Sequence, residues 1–286
     1  MSRRLLGACT AALLGACAGA KPSAPPAPVP GPDRPVAPAG DASGPVRYGL
    51  KEPLSYEIER YDSLFYASMP GAPQASSKRG ILQVRTLPGR SSQVEVRLDS
   101  LVGLDESRLT PTTVDSTIGA RWQLTLGPAG PRGTMQGGHA TILAGQIEEV
   151  VRLLFPQLPR DGLSKQAVWA DSATYRLQLD AFDALETASR TSQAVPGPQT
   201  ELNGVSVEAN ERLVRSGTAI QAGQTMTLKG GGLRRLHYEF APGGWISRLT
   251  ARDSLDLVVT VGSGGQAVPV RWRSTLIGRV RDLPVR

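Results

Sequence analysis

The chain has 286 residues and a formal charge of +7, with 32 Lys and Arg against 25 Asp and Glu, two His and two Cys. Both cysteines, Cys9 and Cys17, fall within the first 17 residues, which excludes a disulfide framework for the rest and leaves burial to stabilise it. Basic side chains are spread singly among acids, which excludes a nucleic-acid face and leaves at most a weak attraction to anionic lipid head groups or lipopolysaccharide.

Arg3 and Arg4 open the chain, Leu5 to Leu14 supply a short apolar stretch, and small residues lead up to Cys17. This is the layout of a secretory signal, and the apolar stretch is about half of the roughly 20 residues a membrane-spanning helix needs. The run Leu14-Gly15-Ala16-Cys17 resembles the lipobox of bacterial lipoproteins. The resemblance implies that residues 1–16 are a signal peptide, that the chain is cut before Cys17, and that the Cys17 sulfur carries a diacylglycerol with palmitate-like chains. One acyl chain alone anchors marginally, and a diacylglycerol supplies the second hydrophobic signal. Leu6-Gly7-Ala8-Cys9 repeats the pattern with too few apolar residues ahead of it. An ordinary signal peptide, cut after an Ala-x-Ala-like site, is the alternative. Ala18 after the cysteine implies, by the enterobacterial sorting rule, the outer membrane facing the periplasm.

Residues 17–46 then read as a lipidated cysteine and tether, with Lys21-Pro22-Ser23-Ala24-Pro25-Pro26-Ala27-Pro28 at its start. Such a segment has too little apolar surface to offset its ordering entropy, and proline keeps it extended at about 3.1 Å per residue.

Residues 47–286 form one antiparallel β domain. Tyr56 and Ile58, Val94 to Leu98, Trp122 to Leu126, Tyr175 to Leu179, Leu236 to Phe240, Leu255 to Val259 and Val268 to Trp272 alternate with polar residues. Period-two alternation predicts strands with one buried and one wet face. Pro88-Gly89, Gly127-Pro128-Ala129-Gly130, Ala241-Pro242-Gly243-Gly244 and Gly262-Ser263-Gly264-Gly265 are the expected turns. Gly230-Gly231-Gly232 reads as a bulge or turn between strands. Between His139 and Phe155, Ile142, Leu143, Ile147, Val150, Val151 and Leu154 fall at helical spacing, and Pro156 and Pro159 stop the run.

The motifs of hydrolytic chemistry are missing from the sequence. There is no Gly-x-Ser-x-Gly elbow, no His-Glu-x-x-His and no serine followed three residues on by lysine. His237, beside Arg235 and Glu239, is the one candidate for acid–base work, and strand alternation places such a pair together by default. His139 belongs to the loop before the helix. Trp122, Trp169, Trp245 and Trp272 either line a sugar or lipid groove or pack in the core.

The stretch Leu154-Phe155-Pro156-Gln157-Leu158-Pro159, leading to Ala167-Val168-Trp169-Ala170-Asp171-Ser172 and a strand at Tyr175, is similar to uncharacterised bacterial lipoprotein families. These are akin to the LolA/LppX-like half-barrel, in which helices close a curved sheet over an apolar cavity. Ala170 stands where those families have glycine, and Trp169 precedes the Asp-Ser pair. No ligand-binding residue carries over.

The expected fold is therefore mainly β: a single curved antiparallel sheet, a half-barrel of roughly ten or more strands, with one central amphipathic helix. The expected role is a non-enzymatic, lipid-anchored envelope module that binds an apolar ligand, an acyl chain or a lipoprotein tail. It needs no cofactor, metal or nucleic acid. Its partners are the membrane, through the lipid on Cys17, and the ligand or an envelope protein. An envelope scaffold that binds a protein through its sheet surface is the alternative, and an enzyme on sugars or peptidoglycan the third.

Overall fold

A computed structural model describes residues 45–50, 52–67, 73–104, 111–137, 141–179, 182–195, 205–221, 223–241, 243–262, 265 and 267–281. Cys17, the leader, the tether up to residue 44 and His139 lie outside the described residues.

The alternating runs become strands β1 (Leu54–Tyr66), β2 (Gln74–Leu87), β3 (Arg90–Gly103), β4 (Arg121–Gly127), β5 (Gly130–Gly137), β6 (Val168–Leu179), β7 (Phe182–Val195), β8 (Val205–Gln221), β9 (Gln224–Phe240), β10 (Ile246–Val261) and β11 (Ala267–Val280). They make one antiparallel sheet in the order β5-β4-β3-β2-β1-β11-β10-β9-β8-β7-β6. The chain thus starts mid-sheet at β1, steps outward to the β5 edge, crosses to the β6 edge, and steps back until β11 closes against β1. Tyr56 faces Val280 and Tyr66 faces Val270 across that central pairing. The sheet is open, since β5 and β6 are not paired with each other.

Among the described residues there are two helices, the short α1 (Pro111–Asp115) and α2 (Ile142–Leu153). The helix expected between His139 and Phe155 is α2. Thr141 caps it, with its hydroxyl accepting from the Ala144 N–H at 3.0 Å, and Pro156 follows its end. Because α2 lies in the crossing from β5 to β6, the chain itself carries it from one sheet edge to the other. It buries Leu143, Ile147, Val150 and Val151 against the inner face of the sheet.

The triple glycine is neither a turn nor a bulge. It lies inside β9, where the pairing with β8 and β10 runs through without a register shift. A Cβ at Gly230, Gly231 or Gly232 would stand 2.3, 2.3 and 1.9 Å from carbonyl oxygens of Asp256, Leu213 and Ser254 on the flanking strands. Glycine is required there for the close approach of the flanking strands.

Candidate functional site

Along each central strand the inward-facing residues change character in the same order: apolar, charged, apolar. On β1 they are Leu54, Tyr56 and Ile58, then Arg60 and Asp62, then Leu64 and Tyr66. On β10, Leu249 and Ala251 precede Asp253, and Leu255 and Leu257 follow it. On β9, Leu236, Tyr238 and Phe240 end at Arg234, beyond which lie the inward glycines and Leu228. Registered across the sheet, these steps draw a charged belt through the inner face. Lys78 belongs to β2, Arg60 and Asp62 to β1, Asp253 to β10, Arg234 to β9, Glu211 and Arg215 to β8, and Glu186 and Arg190 to β7. Arg235, His237, Arg271 and Arg273 lie on the outer face, whereas Arg60, Glu186, Glu211, Arg215 and Arg234 are all buried. Their signal was one of phase: each charge stands in register with its strand's apolar residues.

The belt centres on Glu149, which α2 sends down to the sheet. Its carboxylate accepts from Arg60 Nη1 at 2.9 Å, Arg215 Nη2 at 3.0 Å and Arg234 Nη2 at 2.6 Å. Arg234 also grips Asp253 with both arms, Nε to Oδ1 and Nη2 to Oδ2, each at 2.8 Å. Arg190 Nε donates to Glu211 at 2.6 Å, and Arg215 pairs with Glu186. Arg60 meets Asp62 at 3.0 Å. Burial alone would raise the Glu149 carboxyl. The guanidiniums of Arg60, Arg234 and Arg215 outweigh it and hold that carboxyl well below the usual range. For Glu186 burial wins over Arg215 and Arg234, so its carboxyl is raised. Burial likewise raises Asp171 against the pull of Arg190. Two buried belt atoms have no hydrogen-bond partner, Arg215 Nη1 and Asp171 Oδ2. The Arg215 guanidinium lies over the Trp272 ring instead, 4.6 Å from its centroid.

A cavity lies on each side of α2. The larger, about 580 Å3, opens between the sheet edges: Pro131 and Met135 of β5 form one wall, Ala173 and Tyr175 of β6 the other, and Val151 and Phe155 lie between. The same cavity touches both edge strands, so the sheet wraps around the helix. The smaller, about 310 Å3, lies beyond the belt. Leu64, Tyr66, Leu228, Leu257, Val270 and Trp272 make its apolar wall, while Arg60, Asp62, Lys78 and Gln146 give it a polar end.

Of the candidate residues read from the sequence, Trp272 reaches a cavity, and its Nε1 donates to Asp62 at 3.2 Å. Trp122 is buried in the main core. Trp169 packs at the sheet edge with its Nε1 donating to the Gln157 carbonyl, and Trp245 packs against the core near the β9–β10 turn. His237 stands on the outer face, 3.8 Å from Glu239 and remote from both cavities. Among the described residues no three His, Cys, Asp or Glu side chains converge as a metal site requires. Each belt carboxylate of Asp62, Glu149, Glu186, Glu211 and Asp253 faces an arginine. Such an arrangement holds helix to sheet and gives the cavities a charged boundary.

No family model matches the chain, and no curated protein matches it. Among solved structures, a LolA superfamily protein from Nitrosomonas europaea is 8% identical over 80% of this chain and 87% of that one, with a TM-score of 0.16. A superposition at that score carries no weight for fold or function, which rest on the geometry above.

Proposed function

We propose that this chain is a non-enzymatic, lipid-anchored module of the bacterial envelope that binds an apolar ligand inside its sheet. The observation that carries the reading is the cavity of about 310 Å3 beyond the belt. Its volume lies at the lower end of the roughly 300–1,000 Å3 of small-molecule sites, which suits a single acyl chain. Among the described residues the apolar cluster around it is built from strand residues alone, with no helix packed into it. Cys17 carries the lipid, residues 18–46 hold the domain off the surface, and the location is the outer membrane facing the periplasm.

Purified protein, delipidated and refolded without additives, binds a fluorescent fatty-acid probe, and Val270→Trp, which fills the cavity, abolishes that binding while circular dichroism stays β-like. A wild-type protein that binds no probe overturns the reading. Mass spectrometry of the mature N-terminus checks the anchor, and an unmodified Cys17 thiol removes it.

The scaffold alternative has one observation in its favour. Leu185, Val214 and Leu233, on the adjacent strands β7, β8 and β9, are more than half exposed on the outer face. Crosslinking in the envelope separates the two, since a scaffold yields a stoichiometric protein partner and a binding module yields lipid.

A further inference from the structure

The smaller cavity is not uniformly greasy, and its polar end is unbalanced. Three charged residues line it, the cations Arg60 and Lys78 and the anion Asp62. Asp62 is already claimed twice, by Arg60 Nε at 3.0 Å and by Trp272 Nε1 at 3.2 Å. Arg60 in turn spends Nη1 on Glu149. Lys78 is less well served. Its ammonium carries three donors. Gln146 Oε1 takes one at 2.7 Å, and the nearest Asp62 oxygen stands back at 3.6 Å. Its side chain is only 8% exposed. Burial, with the like charge of Arg60 beside it, lowers the Lys78 pKa despite Asp62 and Glu149. A buried ammonium in that position is relieved by any anion that reaches it.

The apolar wall leads straight to this end. Inward residues of β1 run Tyr66, Leu64, Asp62, and those of β11 run Val270, Trp272, leading to Asp62 and, one inward pair further, to Lys78 opposite Arg60; the Lys78 ammonium reaches back to 3.6 Å from Asp62. A ligand filling the cavity along that wall therefore brings one of its ends to Lys78.

We propose that the ligand of this cavity is a single-chain amphiphile with one anionic head, a carboxylate, which pairs with Lys78 Nζ while the chain lies against Leu64, Leu257 and Val270. The inference rests on the apolar-ligand reading above and adds the head group and its direction of insertion. Arg60 is answered by both Asp62 and Glu149, so the cation in the lining left with a single close acceptor is Lys78, which suits one anionic head; a cationic head would meet Arg60 and Lys78 together.

The test is calorimetric titration of full-length, delipidated protein with palmitic acid, palmityl alcohol and palmityl amine. The acid binds at least about tenfold more tightly than the alcohol, a difference of about 1.4 kcal/mol, and the amine binds most weakly. Lys78→Met brings the acid down to the affinity of the alcohol and leaves the alcohol unchanged; Lys78→Arg keeps the preference. Arg271→Met, on the outer face, changes none of the three and controls for net charge. Equal affinity for acid and alcohol in the wild type, or a preference that survives Lys78→Met, overturns the head-group assignment while leaving the apolar site standing. If none of the three binds, the site itself falls and the assignment falls with it. Should Lys78→Met fail to fold, the wild-type ranking of the three probes decides alone.

Discussion

The two halves of the inner face, on either side of the charged belt, are made of the same kind of residue and end in different states. In one, strand residues such as Val96, Leu249 and Tyr238 pack under Leu143, Ile147, Val150 and Val151 from α2, and the larger cavity opens only at its margin, beside Val151 and Phe155. In the other, Leu213, Leu228, Leu255, Leu257 and Val270 come from strands alone, and Leu228, Leu257 and Val270 border a cavity. A sheet face is stable when a second layer covers it. Alternation in a strand decides which way a side chain points; whether the space beyond it is filled depends on the covering element, and α2 is twelve residues long. At 1.5 Å per residue such a helix spans about 18 Å, well short of a fifteen-residue strand at about 3.3 Å per residue. The uncovered part is where a ligand can stand in for the missing layer.

The sharpest way to break this division is to dissolve the belt, and acid does so without a mutation. Glu149 and Asp62 are held below the ordinary carboxylate range by their arginines, against burial. Their unfolded forms therefore take up protons first as pH falls. Their contribution is complete above the ordinary range and is lost as pH drops through their folded values. Glu186 and Asp171, raised by burial, act in the opposite sense, because the folded state protonates first and gains as pH falls from neutral. Melting temperature followed from roughly pH 8 to pH 3 should peak in mildly acid solution and fall steeply below about pH 4. A profile flat to the acid end would count against the belt as the bond between helix and sheet.

Glu149→Ala removes the same group at neutral pH. It leaves three buried guanidiniums short of an acceptor and should cost about 3–5 kcal/mol. For a domain of this size that is a fall in melting temperature of roughly 6–20 °C. Next in size is a matched pair across the belt. Leu249→Ala, in the helix-covered half, should cost about 2–5 kcal/mol, because Leu249 is fully buried and borders neither cavity, so its loss opens a new void. Leu257→Ala enlarges a space that already exists and should cost about half as much in urea unfolding, unless ligand is present. Equal costs would mean the two halves are packed alike.

Much of this division could be read in outline from the residues, though not in its decisive detail. Strands β3, β4, β6, β9, β10 and β11 show apolar alternation, and α2 shows its helical spacing, so fold class and helix were legible. Strand β7 was not. Its inward positions are Ala184, Glu186, Ala188, Arg190, Ser192 and Ala194, small or charged, so burial alternates along it while polarity does not. Strand β2 hides for a like reason, with Gln74, Ser76, Lys78 and Gly80 pointing inward. The belt could have been suspected from phase, since Arg60 follows Leu54, Tyr56 and Ile58 at even spacing, and Arg234 precedes Leu236, Tyr238 and Phe240. What no spacing reveals is that these charges line up across strands distant in sequence, or that Glu149 is the helix residue that meets them. Sheet order and register decide both.

The smallest expected effect sharpens the same comparison from the other face. Asp256 lies three residues beyond Asp253 on β10 and also faces an arginine, but it points outward. Asp253 is buried and gripped by both arms of Arg234. Asp256 is 74% exposed and meets Arg271 at 3.4 Å and Arg273 at 3.8 Å, both of them exposed. Water solvates both partners of the outer pair about as well as they solvate each other, and salt screens what remains. Asp256→Ala should therefore move stability by no more than about 0.5 kcal/mol, and that little should vanish at high salt. Asp253→Ala, with identical chemistry deleted from the same strand, should approach the cost of Glu149→Ala. If urea titration finds the two aspartates equivalent, the inner charges are solvated like surface charges, and the belt is no boundary between the helix-covered half and the half built from strands alone.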